Sequence, residues 1–216
     1  MPINSNLVPI QTVTVGSGGS NSISFTSIPQ IYTDLMIQLS VRSSSASGDS
    51  NCFMYFNGVT ATSYTTRRLL GSGSTPSNDG FSSYPWIQIA DKIPNATFTT
   101  STFASMFIYI PNYTKSVEKI VTIDFVSENN TSSAQSGIVA GLFNSTNPIT
   151  QIDIDGTDNF VQYSKATLYG ATSSATGAKA TGGSISEDNT YWYHTFTTSD
   201  TFTPNVNLTN VDYLRV

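Results

Sequence analysis

The chain has 216 residues, of which 9 are Lys or Arg and 14 are Asp or Glu, so its net charge is −5. Charged residues make up 11% of the chain, less than half of the roughly 25% that is usual for soluble domains. Ser, Thr and Asn together supply 79 residues, and aromatic residues supply 12%. This composition excludes a disordered chain, which needs high net charge and few aromatics. It favours strands over long helices.

The few basic residues are dispersed along the chain, so we expect neither a nucleic-acid partner nor a membrane partner. Cys52 is the single cysteine and cannot form a disulfide within the chain. The start, MPINSNLVPIQTVTV, lacks the basic and apolar regions of a secretory signal. No apolar run approaches the roughly 20 residues of a membrane span. We therefore expect synthesis in a cytoplasm, although a surface rich in hydroxyls and amides is typical of extracellular β-proteins. A virion protein reconciles the two.

Short β-type segments separated by turn signals recur up to residue 170. The sequence Asn57-Gly58 predicts a hairpin turn, and the segment 71–80, GSGSTPSNDG, predicts a long loop. Two sheets packed face to face in a jelly-roll-like order fit this number of strands. The predicted strands are 11–15, 22–27, 35–42, 52–56, 64–70, 85–90, 102–110, 119–126, 137–143, 149–155 and 166–170.

One predicted strand, 102–110, is apolar on both of its faces. Phe103, Phe107 and Tyr109 alternate with a second apolar set, so both faces are expected to be buried. This pattern places the strand centrally in a sheet or at a contact between subunits. We therefore take Phe103, Phe107 and Tyr109 as candidate oligomer contacts.

The composition changes after residue 170. Residues 171–183, ATSSATGAKATGG, contain no large apolar side chain and predict a linker. Residues 184–216 include an aromatic run from Tyr191 to Phe196. The predicted organisation is a β-sandwich domain over 1–170, the linker 171–183, and a short C-terminal β segment over 184–216. This segment has too few apolar residues for a core of its own and is expected to pack on another surface.

The C-terminal segment, TGGSISEDNTYWYHTFTTSDTFTPNVNLTNVDYLRV, resembles a segment of bacteriophage tail fibres and related virion proteins. In those proteins a Tyr-x-Tyr-His-x-Phe strand is followed by Ser-Gly-Thr-Phe-Thr-Pro and by Val-Asp-Tyr-Leu-Val-Val, and a glycine-rich region usually comes next. Asp200 stands where Gly is usual and Arg215 where Val is usual. The segments 29–39 and 160–170 resemble core strands of phage fibre and head-appendage sandwiches more loosely. The resemblance implies a homotrimeric virion component, and it leads us to expect either that the natural chain continues past Val216 or that this member has lost the distal part. The matching residues are Tyr191, Tyr193, His194, Phe196, Thr201, Phe202, Thr203 and Pro204.

Nothing in the sequence predicts an enzyme. His194 is the single histidine and lies among aromatics, and the chain has no G-x-S-x-G motif. The three Glu residues fall near predicted strand ends or loops, which does not favour paired carboxylates for glycoside hydrolysis. We therefore expect no catalytic residue, no cofactor and no zinc site.

Two patterns are compatible with ligands, and each also has a structural explanation. Tyr84, Trp86, Tyr191 and Trp192 are candidates for stacking on sugar rings, although packing within the fold is the commoner role of such residues. Asp153, Asp155 and Asp158 are candidate calcium ligands because calcium takes carboxylate oxygens, but they lack the full spacing of an EF-hand loop. An Asp-Gly turn at a strand end is the alternative for this cluster.

The sequence therefore predicts a non-enzymatic virion structural protein of a bacteriophage: a tail fibre, a head fibre or a capsid decoration. It is expected to assemble with itself, as a trimer, and with other virion proteins. The alternative is a carbohydrate-binding module or adhesin that recognises glycans on a host cell surface.

Overall fold

The computed structural model describes residues 7–72, 75–129, 134–171, 180–187 and 192–204, and within them it contains strands and turns only. The prediction of an all-β fold is confirmed. No helix in the described part of the chain is long and apolar enough to cross a lipid bilayer. The strands are β1 (Leu7–Thr14), β2 (Ser20–Phe25), β3 (Asp34–Val41), β4 (Cys52–Phe56), β5 (Tyr64–Ser72), β6 (Thr75–Tyr84), β7 (Ile87–Ala90), β8 (Ala104–Ile110), β9 (Lys119–Ser127), β10 (Gln135–Phe143), β11 (Ile152–Phe160), β12 (Lys165–Ala171), β13 (Ala180–Thr181), β14 (Ser184–Glu187), β15 (Trp192–Thr195) and β16 (Thr203–Pro204).

The chain divides into two compact units, and the first spans Leu7–Ser173. This body contains an eight-stranded sheet in the order β1-β12-β3-β8-β9-β10-β5-β6 and a four-stranded sheet in the order β2-β11-β4-β7. The strand pairs in both sheets are antiparallel. Eight strands follow a nested pairing, in which β1 lies beside β12, β2 beside β11, β3 beside β8 and β4 beside β7. The pairs β5-β6 and β9-β10 extend the larger sheet.

The inner faces of the two sheets share one hydrophobic core. The period of two predicted for β3 is observed, since Leu35, Ile37 and Leu39 have no exposed surface. Each such aliphatic side chain contributes about 1.5–3 kcal/mol on burial. At one end of the core the ring of Tyr64 stacks on Phe143, with centroids 4.8 Å apart. The two sheets therefore form a β-sandwich around this apolar core.

The turn at Asn57-Gly58 does not close a hairpin, so that prediction is wrong. Both residues have positive φ values, 54° and 67°, as the sequence predicts, but β4 belongs to the four-stranded sheet and β5 to the eight-stranded sheet. The Asn57 side chain instead holds the segment that leads into β11. Its Oδ1 accepts hydrogen bonds from the backbone N–H groups of Thr150 and Gln151. The local signal thus gave the geometry of the turn but not the strands that it joins.

The segment 71–80 is also not a loop as predicted, because β6 pairs with β5 over most of it. As the edge strand of the larger sheet, β6 needs no alternation of apolar residues, and its first residues are exposed. Pro76 lies near its start, a position that an edge strand tolerates.

A buried guanidinium fastens β6 to the body. The side chain of Arg68 is 2% exposed and makes two hydrogen bonds to Asp79 on β6, at 2.7 and 2.5 Å. It also pairs with Asp91 and lies over the ring of Phe81, 5.0 Å from its centroid. Burial lowers the pKa of Arg68, but the two carboxylates outweigh that effect and raise it.

The second unit lies within Ser174–Val216, and its described residues form two small antiparallel sheets. One pairs β13 with β16 and the other pairs β14 with β15. In the described part of this unit, Ala180 is the buried apolar residue, whereas Ile185, Tyr193, Phe196 and Phe202 are between 38% and 45% exposed. Part of the predicted linker, Ala180–Thr181, is strand.

Candidate interaction surfaces

An apolar stripe crosses the outer face of the eight-stranded sheet. It consists of Phe107 on β8, Val126 on β9, Ile138 on β10 and Leu69 on β5. Phe107 lies opposite Asp124, and Asp124 lies opposite Ile138. Ile138 in turn lies opposite Leu69. The cross-strand row Phe107–Asp124–Ile138–Leu69 is therefore continuous over four strands, and Val126 lies two residues from Asp124 on β9. The four apolar side chains are 43% to 57% exposed and line an open groove of about 580 Å³.

Two charged side chains belong to the same face as the apolar stripe. Asp124 stands within it and has no hydrogen bond or ion pair with the described residues. Arg67 on β5 donates to the carbonyl oxygens of Thr66 and Phe81 and to the hydroxyl of Ser82. Within the described ranges, no carboxylate pairs with Arg67. Asp124 and Arg67 of one chain therefore do not neutralise each other.

The three predicted oligomer contacts have different environments. Phe107 is 43% exposed and belongs to the apolar stripe. Phe103 is half-buried beside a smaller groove. Tyr109 is half-buried, and its hydroxyl donates to Asp34 Oδ2 at 2.9 Å; burial and this carboxylate raise the pKa of Tyr109. The strand occupies a central place in the sheet as predicted, and its outer face is partly exposed within this single chain.

A different chemistry covers the outer face of the four-stranded sheet. Ile23 on β2, Met54 on β4 and Ile154 on β11 are fully buried. The residues directly before and after each of them on the same strand therefore point outward. We call these outward residues, together with Trp86, the polar–aromatic face. Hydroxyls lie on β2, carboxylates on β11 and aromatic rings on β4. The two cross-strand rows are Ser24–Asp153–Tyr55 and Ser22–Asp155–Phe53.

The carboxylates of this face are oriented by hydrogen bonds. The hydroxyl of Tyr55 donates to Asp155 Oδ2 at 3.0 Å, and Gln151 Nε2 donates to Asp153 Oδ2 at 2.8 Å. Burial, followed by the hydrogen bond to Asp155, raises the pKa of Tyr55 to about 12, so this hydroxyl remains a donor at neutral pH. The other oxygen of Asp155, Oδ1, is buried and accepts no hydrogen bond from the described residues.

Aromatic rings continue the face toward its edge. Phe53 stacks on Trp86 with centroids 4.8 Å apart, and Tyr84 meets Trp86 edge-on at 5.4 Å. Trp86 Nε1 donates to Gln88 Oε1 at 3.3 Å. The rings of Phe53, Tyr84 and Trp86 are all half-buried, which leaves part of each accessible.

The structure brings together two of the four predicted stacking residues, Tyr84 and Trp86. Tyr191 lies outside the described residues, and Trp192 begins β15 in the second unit. Sequence reasoning missed Phe53 and Tyr55. The signal was present, since the strand CFMYF is apolar on both parities in the same way as 102–110.

The predicted calcium ligands do not form a metal site in the described structure. Asp153 and Asp155 both point outward from β11, and Asp158 accepts a hydrogen bond from Thr157 Oγ1 at 3.4 Å. Among the described residues, no group of three or more His, Cys, Asp or Glu side chains is arranged to hold a metal ion. The Asp155-Gly156 pair does not end β11, which extends to Phe160, but the pairing with β2 shifts register between Asp155 and Phe160.

The single histidine has structural contacts. His194 Nδ1 lies 2.8 Å from the carbonyl oxygen of Gly182, and the ring meets Phe202 edge-on with centroids 5.0 Å apart. Both contacts tie β15 to other segments of the second unit.

Comparison of the chain with protein-family models, with curated proteins and with solved structures gave no match in any of the three. The features that bear on function are therefore the outer faces of the body's two sheets and the sequence of the C-terminal segment.

Proposed function

We propose that the protein is a non-enzymatic structural component of a bacteriophage virion that assembles with itself through the outer face of its eight-stranded sheet. The observation that carries this proposal is the apolar stripe. Four large apolar side chains on adjacent strands are about half exposed, and contiguous apolar patches of this kind mark interaction sites. The stripe includes Phe107, which the sequence predicts to be a contact between subunits.

The charges on this face support a second copy as the partner. Burying Asp124 in an apolar contact without a donor would be costly. Arg67 lies on the same face and has no carboxylate partner among the described residues, so one copy has the cation that Asp124 of a neighbouring copy needs. A symmetric arrangement that sets Arg67 of one copy against Asp124 of the next would form this pair at every contact.

The C-terminal unit supports assembly independently. Two-stranded sheets are marginally stable alone, and the described residues of this unit bury no large apolar side chain. Its exposed Ile185, Tyr193 and Phe196 would gain a core by packing against neighbouring copies. The resemblance of segment 191–204 to phage fibre segments is what supports a trimer and a place in the virion.

The strand order supports a jelly-roll for the body. A jelly-roll is a double-sheet arrangement of eight strands, and the nested pairs β1/β12, β2/β11, β3/β8 and β4/β7 divide eight strands between two sheets. The pairs β5-β6 and β9-β10 are then additions that widen one sheet, and three strands of the apolar stripe belong to them. The widening would thus serve assembly.

Light scattering coupled to size exclusion tests the assembly. The full chain is expected to elute as one species at a multiple of 23.2 kDa, three times that mass for a trimer. Val126→Lys should produce monomers at micromolar concentration. The matched control is Val117→Lys, since Val117 is 48% exposed and Val126 is 52% exposed, yet Val117 lies outside the stripe. A monomeric wild-type chain would overturn the assembly, as would equal behaviour of the two variants.

Charge reversal tests the role of the second copy. Asp124→Arg and Arg67→Asp should each weaken association, and the double variant should restore it. Mass spectrometry of purified particles of the phage that encodes the chain tests the virion assignment, and absence from those particles would refute it.

A further inference from the structure

We propose that the polar–aromatic face of the four-stranded sheet binds a neutral saccharide. The face combines three kinds of group in order across the sheet: hydroxyls on β2, carboxylates on β11 and aromatic rings on β4 and at Trp86. A sugar ring needs the same three, because its C–H face stacks on an aromatic ring while its hydroxyls donate to carboxylates and exchange hydrogen bonds with other hydroxyls. This site is independent of assembly through the other sheet.

The charges of the face select against anionic ligands. The four strands of this sheet contain no Lys or Arg. Lys92 is the first basic residue after β7 in the chain, and its Nζ pairs with Asp49 Oδ1 at 3.4 Å. With Asp153 and Asp155 at its centre, the face would repel phosphate, sulfate, sialic acid or uronic acid groups.

The carboxylates are placed to accept hydroxyl donors. Asp153 is 5% exposed and already accepts from Gln151, so it is held rigidly. In Asp155 one oxygen accepts from Tyr55, while the other is buried without a donor among the described residues. A buried acceptor without a partner is destabilising, and a hydroxyl that reached it would make a charge-assisted hydrogen bond. Because the Tyr55 hydroxyl donates to the other oxygen of the same carboxylate, binding should be sensitive to Tyr55.

A cationic ligand fits less well than a sugar. Aromatic rings and carboxylates also bind quaternary ammonium groups. However, Phe53 and Trp86 stack on each other rather than enclosing the kind of space that holds a quaternary ammonium group. Ser22 and Ser24, which are hydrogen-bonded to each other at 3.2 Å, offer partners to hydroxyls and none to an ammonium group.

Binding can be measured by the fluorescence of Trp86 in the full chain with Trp192→Phe. The probes are neutral hexose and N-acetylhexosamine oligosaccharides, their sialylated and sulfated counterparts, and choline. We expect the neutral sugars to change the emission and to bind, and the acidic sugars and choline to bind at least tenfold more weakly. Preference for an acidic sugar or for choline would overturn the proposal, and so would no binding of any probe.

Two pairs of variants locate the site. Asp155→Asn and Tyr55→Phe should weaken binding of the neutral sugar about tenfold or more. Their matched controls are Asp34→Asn and Tyr109→Phe, because Tyr109 donates to Asp34 at 2.9 Å in the same way on the other sheet. Isothermal calorimetry should give unchanged affinity for the controls. Equal effects in both pairs, or none in the first, would refute the location, while circular dichroism verifies that each variant is folded.

Discussion

Replacing Tyr64 by Phe should destabilise the body although the ring that packs in the core is retained. The strand β4 extends past the end of its edge neighbour β7, whose last pairing is Met54 with Ile87. At Phe56 the Tyr64 hydroxyl takes the place of the missing strand: the N–H of Phe56 donates to it at 2.9 Å, and it donates to the carbonyl oxygen of Val59 at 3.0 Å. Tyr64 itself is 1% exposed.

The magnitude follows from the groups left without partners. Tyr64→Phe keeps the stacking on Phe143 but leaves a buried N–H and a partly buried carbonyl unsatisfied, which costs about 1–3 kcal/mol. For a domain of this size, that corresponds to a fall of roughly 2–12 °C in Tm. The slope of unfolding free energy against denaturant should not change, since the exposed surface is the same.

The assay is equilibrium urea unfolding, followed by Trp86 fluorescence in a Trp192→Phe background at one fixed protein concentration, because association also affects stability. The control is Tyr163→Phe, in which the altered side chain is 70% exposed; its effect should stay within about 0.5 kcal/mol. Equal stability of the Tyr64→Phe and Tyr163→Phe variants would refute the view that the hydroxyl completes the end of β4.

Two further predictions concern ionisable groups. Burial raises the pKa of both Tyr55 and Tyr64 from 10 to about 12. The stabilisation that accompanies the raised pKa of Tyr64 is fully present below pH 10 and is lost as the pH rises through 12. The difference in unfolding free energy between wild type and Tyr64→Phe should therefore narrow between pH 10 and pH 12. A constant difference would contradict this. Arg68→Met should cost about 1–3 kcal/mol in the same urea assay, less than for a fully buried ion pair because its carboxylate partners are partly exposed. Lys92→Met, which breaks the exposed pair with Asp49, should cost at most about 1 kcal/mol, and similar losses for both would disprove the role assigned to Arg68.

The sequence predicts the strands that alternate or are continuously apolar, because the core imposes that pattern. The predicted strand 52–56 has the bounds observed for β4, and β9 buries Val121, Ile123 and Phe125 on one face. The edge strand β6 has no such alternation of apolar residues, so its sequence predicts a loop. Strand order is equally hidden, since Asn57-Gly58 fixes two backbone angles and carries no information on which sheet the next strand joins.

Candidate sites were predictable only where one strand carried the signal. Phe107 stands out within a single segment that is apolar on both parities. The rest of the apolar stripe, Val126, Ile138 and Leu69, lies 19, 31 and 38 residues from Phe107 along the chain, and only the strand pairing brings these residues together. The same holds for Tyr55 and Asp155, which are 100 residues apart.

The two outer faces of the sandwich can take part in separate interactions because one core lies between them. The outer faces of the body's sheets lie on opposite sides of that core, so association through the apolar stripe would leave the polar–aromatic face directed away from the partner. The sparse charge of the chain fits this division: Arg67 and Asp124 can be neutralised between copies, whereas Asp153 and Asp155 are retained where no cation is supplied. If both proposals hold, each added copy adds one saccharide site, and assembly raises the avidity for a surface that displays many identical sugars without any new contact to a single sugar. Dissociation by Val126→Lys should therefore abolish tight binding to a sugar-coated surface while leaving the affinity for the free sugar unchanged.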